Sequence, residues 1–193
     1  HPGFPDLMGF GRRNLNVSPS EAAAYVTYQL GALYAFAESA GVKIQHVKPH
    51  GALYNMAGKD YALAFAIAGA VRAFDPGLIL LGLSGSESIR AAQDAGLPAA
   101  REVFADRAYM PDGSLMPRTM EGAVIHDEEL AIRRVVRMVK EHKVTACDGS
   151  DIEIVPDSIC VHGDNVKALA FVARIRSALS GEGIEIAPLS EIL

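Results

Sequence analysis

Apolar residues recur near a 3.6-residue period at Tyr25, Tyr28, Leu33, Phe36 and Ala40, which predicts a helix over Asn16–Ala40. Ser18 and Glu21 supply an S-x-x-E capping box, with Pro19 at the first helical position, where a missing N–H costs nothing. Gly41 stops the run, and Val42–Val47 reads as a short strand ending in Lys48-Pro49-His50-Gly51. The pattern then repeats. An Ala-rich helix over Asp60–Phe74 closes at Asp75-Pro76-Gly77, and the unbroken apolar run Leu78–Leu83 has the character of a parallel strand buried on both faces. A helix over Glu87–Ala95 stops at Gly96, and a weaker strand follows over Pro98–Val103. Residues 108–122 are irregular, with Pro111, Asp112-Gly113 and Pro117. Asp127–His142 is an amphipathic helix, acidic at its start and basic towards its end, as the helix dipole favours. Ser158–Val161 reads as a strand, Asn165–Leu179 as a helix and Ile184–Ala187 as a last short strand. This alternation predicts right-handed βαβ units around a parallel sheet, in one α/β domain over residues 1–193.

Composition narrows the class. Half of the 193 residues are hydrophobic and 21% are charged, which is globular usage. The net charge of −5, without a basic stripe, makes nucleic acid and anionic membranes poor partners. The longest apolar stretches fall short of the ~20 residues a membrane span needs. Nothing at the start reads as a signal peptide, so the expectation is a soluble cytoplasmic chain. Cys147 and Cys160 lack metal-type spacing and read as buried structural thiols.

The candidate chemistry gathers at one kind of place. HPGFPD, KPHGALYN, GLSGSES, EVFADR and CVHGD each stand where a strand passes into a helix. In parallel α/β folds such loops share the face at the carboxyl ends of the strands, where active sites are built. His50, between Pro49 and Gly51, either packs locally or meets a ligand. Lys48, two residues earlier, favours an anion. Residues two apart on an extended segment point the same way, so Lys48 and His50 are expected to face one site. Arg12 and Arg13 lie in a Gly-rich loop, where one planar fork can bind a carboxylate or phosphate while the other is solvated. Glu102, Asp106 and Arg107 are explained either by local ion pairing or by a general base among them. His162 with Asp164 is either part of a site or the N-cap of the following helix. His1, His50 and His162 with Asp6 and Asp164 form a conceivable N/O metal set, without a short-range ligand pair to support it. There is no G-x-x-x-x-G-K-[ST] loop, so any ATP would be held some other way.

HPGFPDLMGFGRR, KPHGALYN, EVFADRAY with DGSLMPR, and ICVHGD, in that order over the whole chain, resemble the LamB/YcsF family. The resemblance implies an irregular seven-stranded (β/α) barrel, similar to the polysaccharide-deacetylase type. It implies one subunit of an ATP-dependent 5-oxoprolinase, a hydrolase that opens the cyclic amide of 5-oxo-L-proline to L-glutamate with B and C subunits. ATP is then a co-substrate of the complex, while a divalent metal and a homo-oligomer stay open. Members of the family begin earlier, and this chain starts at His1 inside a loop. The expectation is an incomplete barrel lacking its first two βα units.

Opening an unstrained lactam needs cations for phosphate and carboxylate, a base for water, and donors toward the developing oxyanion. On that basis His50, Glu102, Asp106 and His162 are the catalytic candidates. Lys48, Arg12, Arg13, Asn55, Arg107 and Asp164 are candidates for substrate or phosphate binding. His1 and Asp6 are the residual metal candidates. Two other functions compete: a metal-dependent, deacetylase-like hydrolase and a non-catalytic scaffold subunit.

Overall fold

In the computed structural model, which describes residues 1–163 and 168–193, the chain divides into two units. One comprises His1–Ala100 with Leu193, the other Arg101–Ile192.

The first unit opens with the HPGF loop and helix α1 (Pro19–Ser39). Its capping box forms as expected: Glu21 N–H donates to Ser18 Oγ at 3.3 Å, and Ser18 N–H donates to Glu21 Oε2 at 2.8 Å. The helical period is right, but the apolar residues that reveal it do not form the buried face. Ala22, Val26, Leu30 and Ala37 are buried, whereas Tyr28 is 78% and Phe36 74% exposed. Helix α1 packs on α3 (Tyr61–Phe74), whose inner face includes Ala64 and Ala68. Small side chains on both helices permit close approach; Tyr28 and Phe36 are left outside, while Tyr25 packs at the core's edge.

The short strand β1 (His46–Val47) pairs in parallel with β2 (Ile79–Leu83), His46 opposite Ile79 and Val47 opposite Leu80. All five residues of β2 are buried, as its apolar run requires. Between these strands lie α2 (Gly51–Ala57), a helix that begins inside the KPHGALYN block, and α3. Helix α4 (Glu87–Asp94) follows β2, and Leu80 N–H bonds the Pro98 carbonyl at 2.8 Å, just before β3 (Ala99–Phe104).

The strands expected over 42–47 and 184–187 require correction: the first is reduced to two residues and the second does not form. Helix ends supply the reason. Gly41, Gly96 and Gly183 adopt φ of +67°, +72° and +76°, and each is followed by an apolar residue. Val42, Leu97 and Ile184 then donate N–H bonds to the carbonyls of Ala37, Ala92 and Leu179, five residues back, at 3.0, 2.9 and 3.0 Å. This is the Schellman ending, in which the residue after the glycine bonds back to the helix, though Val42 itself stays 57% exposed. Leu97 is buried in the first unit's core and Ile184 packs on the second's. Their apolar character thus serves the helix end rather than a strand.

The second unit continues β3 and pairs it in parallel with β6 (Ser158–Cys160), Glu102 opposite Ser158 and Phe104 opposite Cys160. Arg101 and Asp157 lock the start of that pairing through two side-chain bonds of 2.8 and 2.7 Å. Helix α5 (Glu128–Glu141) and α6 (Ala168–Gly181) pack around Ala131, Val135, Phe171, Ile175 and Leu179. An unexpected antiparallel hairpin, β4 (Lys143–Thr145) with β5 (Asp151–Glu153), stands between α5 and β6. The chain ends in the single turn α7 (Leu189–Ile192). Asp164, the expected cap of the last long helix, lies outside the described residues. Cys147 is exposed and Cys160 half-buried, which corrects the expectation of two buried thiols. Among the described residues no helix is long and apolar enough to cross a membrane.

Candidate functional site

The candidate residues gather in two clusters, one in each unit. In the first, the HPGFPDLMGFGRR loop folds over the residues that precede α2. Gln29 of α1 holds the loop, accepting from Gly3 N–H at 3.0 Å and donating to the Gly3 carbonyl at 2.8 Å. Asp6 is buried and anchors the far side. It takes Gly9 N–H at 3.0 Å and Arg13 Nε at 3.0 Å, with a second, shorter bond from Arg13 Nη2. The Arg13 guanidinium holds the Asp6 carboxyl below the usual carboxylate range. A Cβ on Gly9 would lie 2.1 Å from Asp6 Oδ2, so any side chain there would force the Asp6–Arg13 pair to shift.

His50 is gripped by the same loop. Its backbone N–H donates to the Pro2 carbonyl, and its Nε2 donates to the Phe10 carbonyl, both at 2.8 Å. The rings of Phe10 and His1 meet the imidazole edge-on, at 5.0 and 5.2 Å between centroids. Phe10 and Gly11 both take positive φ, 55° and 66°, a costly conformation for a phenylalanine that the His50 bond helps to maintain. Gly51 follows with φ +60°, and a Cβ there would stand 2.5 Å from the Gly11 carbonyl oxygen.

The two arginines diverge, as adjacent side chains tend to. Arg13 turns onto Asp6, and the Arg12 guanidinium lies 5.4 Å from the Phe10 ring centroid. Lys48 places its ammonium 5.5 Å over the ring of buried Tyr54, while Asn55 is exposed on α2. His1 lies against His50, whereas the Asp6 oxygens are engaged by Arg13 and Gly9. Among the described residues, no group of three His, Cys, Asp or Glu could hold a metal ion.

The second cluster forms where β3 and β6 end. Glu102 is 2% exposed on β3. Phe104, on the same face two residues on, stacks on the His162 ring at 5.8 Å with 28° between the planes. Asp106 Oδ2 and Oδ1 lie 2.9 and 3.0 Å from His162 Nδ1, and Arg118 Nη2 lies 2.9 Å from His162 Nε2. Carboxylate only accepts and guanidinium only donates, so the tautomer follows. Nδ1 carries the proton and donates to Asp106, and Nε2 presents its lone pair. This is an imidazole in the form of a general base, oriented by a carboxylate.

Arg107, expected to bind substrate or phosphate, is turned inward. It is buried, and it donates through Nε to the Ala123 carbonyl at 3.1 Å and through Nη2 to the Met116 carbonyl. Burial first, and the nearby Arg118 second, pull its pKa below the ordinary arginine value. Both Nη atoms of Arg134 in turn donate to the Arg107 carbonyl at 3.1 Å. Together these bonds brace residues 108–122, which return antiparallel on themselves through bridges Arg107–Val124 and Tyr109–Leu115. That bracing places Arg118, two residues beyond Met116. Arg118 was not among the expected site residues; its only mark in the sequence is its place in the DGSLMPR block.

Comparison with known proteins gives the cluster its context. The model of the LamB/YcsF family matches residues 1–193. The A subunit of the 5-oxoprolinase from Clostridium beijerinckii is 64% identical over 192 residues, spanning 100% of this chain and 75% of that protein. The protein of the same name from a Campylobacter jejuni strain is 56% identical, spanning 100% of this chain and 76% of its own. The crystal structure of a lactam utilization protein from Thermus thermophilus superposes with a TM-score of 0.87 at 48% identity. That match covers 96% of this chain and 74% of that one. With a family match over every residue and relatives of this similarity, the chain belongs to the LamB/YcsF family.

Proposed function

We propose that this chain is the lactam-handling subunit of a cytoplasmic, ATP-dependent 5-oxoprolinase that opens 5-oxo-L-proline to L-glutamate together with B and C subunits. The observation that carries the reading is the Asp106–His162 pair, an oriented base in a chain 64% identical to the A subunit of a 5-oxoprolinase. As scaffold we propose the irregular seven-stranded (β/α) barrel that the family resemblance implies; the parallel pairings β1–β2 and β3–β6 support it.

A lactam resists water because its nitrogen lone pair is delocalised onto the carbonyl. Transfer of the γ-phosphoryl group of ATP to that oxygen turns C5 into a better electrophile. Water then attacks C5, His162 Nε2 takes the proton from water, the C5–N bond breaks, and the ring nitrogen is protonated as the amine leaves. Breaking the C5–N bond leaves the γ-carboxyl as an acyl phosphate, which a second water hydrolyses to carboxylate and phosphate, so that lactam, ATP and two waters give glutamate, ADP and phosphate. Glu102 is the second acid of this cluster. Lys48 and Arg12 are the first unit's cations for phosphate or the substrate carboxylate, and His50 is its proton donor. These roles are tested in the enzyme assembled with its B and C subunits. Lys48→Ala is expected to cut turnover on the order of 10²-fold while leaving folding intact. Near wild-type turnover for Lys48→Ala, with unfolding on His50→Ala, would make the pair structural.

A further inference from the structure

Arg118 covers the atom that the proposed chemistry needs. Its Nη2 donates to His162 Nε2 at 2.9 Å, so the lone pair that would take the proton from water is already occupied. Three further facts bear on what this contact does. Arg118 is exposed, and the His162 bond is the one hydrogen bond its guanidinium makes among the described residues. It stands near the buried cation Arg107, so two guanidinium groups lie beside the Asp106 carboxylate. Its backbone is held by the Arg107 bond to the Met116 carbonyl, so the side chain can swing while its root stays in place.

We propose that Arg118 is a carboxylate-binding latch: it grips the anionic group of the substrate and, in doing so, releases His162 Nε2 for catalysis. The proposal rests on the 5-oxoprolinase reading above and adds to it a residue, a specificity and an order of events. A guanidinium meets a carboxylate through two parallel charge-assisted bonds, which outcompete a single bond to a neutral imidazole. A lactam without a carboxylate leaves the latch closed and the base covered. The site thereby distinguishes 5-oxo-L-proline from 2-pyrrolidinone by activation as well as by binding.

Two measurements test this. The first is the nitrogen spectrum of the His162 ring in isotope-labelled protein. The free protein should show one tautomer, with the proton on Nδ1. 5-Oxo-L-proline should shift the Nε2 resonance, and 2-pyrrolidinone at equal concentration should not. An equal response to both ligands would overturn the latch. The second is turnover by the assembled complex. Arg118→Met should raise KM for 5-oxo-L-proline about 10- to 100-fold, the scale of losing one charge-assisted contact. It should also bring the preference for 5-oxo-L-proline over 2-pyrrolidinone to within a few-fold, while Arg118→Lys retains part of that preference. A residue that only stabilised the fold would change both substrates equally. If wild type opens 5-oxo-L-proline and Arg118→Met keeps full discrimination, the latch fails and the functional reading stands. If the wild-type complex does not open 5-oxo-L-proline, both fail together.

Discussion

Gly51 sits between His50 and helix α2 at φ +60°, and any side chain there would run into the Gly11 carbonyl oxygen at 2.5 Å. Gly51→Ala therefore combines a left-handed alanine with a backbone clash. It should cost about 2–4 kcal/mol in chemical denaturation, well above a routine surface change. A loss below about 0.5 kcal/mol would show that the loop over His50 is not held as described. The candidate residues of both units were readable to different degrees. His50, Asp106 and His162 announce themselves because polar residues directly after a strand have no packing reason to be there. Arg107 looked like one of them, yet points inward, because only the fold reveals which carbonyls lack donors. Arg118 lies 44 residues from its partner His162 in an irregular segment, so no spacing rule could join the two.

Helices and strands differed in the same way. The capping box of α1, the stop at Gly41 and the buried run of β2 follow from local chemistry and formed as read. Which face of α1 is buried depends on the small residues of α3, a tertiary fact. Leu30→Ala should cost about 2–5 kcal/mol, and Phe36→Ser less than about 0.5 kcal/mol, in urea unfolding. The reverse order would restore the aromatic stripe as the buried face. The glycine–apolar pairs at Gly41-Val42 and Gly183-Ile184 imitate strand beginnings because a Schellman ending also wants an apolar residue there. The β4–β5 hairpin was missed, although Asp148-Gly149 between alternating Val144, Ala146, Ile152 and Ile154 carried the signal. That hairpin also has a pH signature. Hydrogen bonds from Arg137, and then from Thr145, hold the Asp151 carboxyl down at about 2, against ~3.9 in an unfolded chain. A depressed folded pKa adds stability above the unfolded value and loses it as pH falls through the folded one. Unfolding midpoints should therefore fall between about pH 4 and pH 2 more steeply for wild type than for Asp151→Asn. Parallel profiles would remove the pair from the stability of the hairpin.

The two units carry different devices on one chain. The first offers cations and a histidine clamped by a glycine-dependent loop. The second offers an acid–imidazole pair under a movable arginine. The proposed lactam chemistry gives each a task. The central claim is that His162, oriented by Asp106, acts as the base. It is tested by glutamate release from 5-oxo-L-proline and ATP in the complex with B and C subunits, comparing wild type with Asp106→Asn. The amide keeps the shape of the side chain but can offer its N–H to Nδ1, which would move the ring proton to Nε2 and remove the base. Turnover should fall on the order of 10²–10⁴-fold with an unchanged thermal midpoint. Wild-type turnover by Asp106→Asn, in a complex that does release glutamate, would contradict the account.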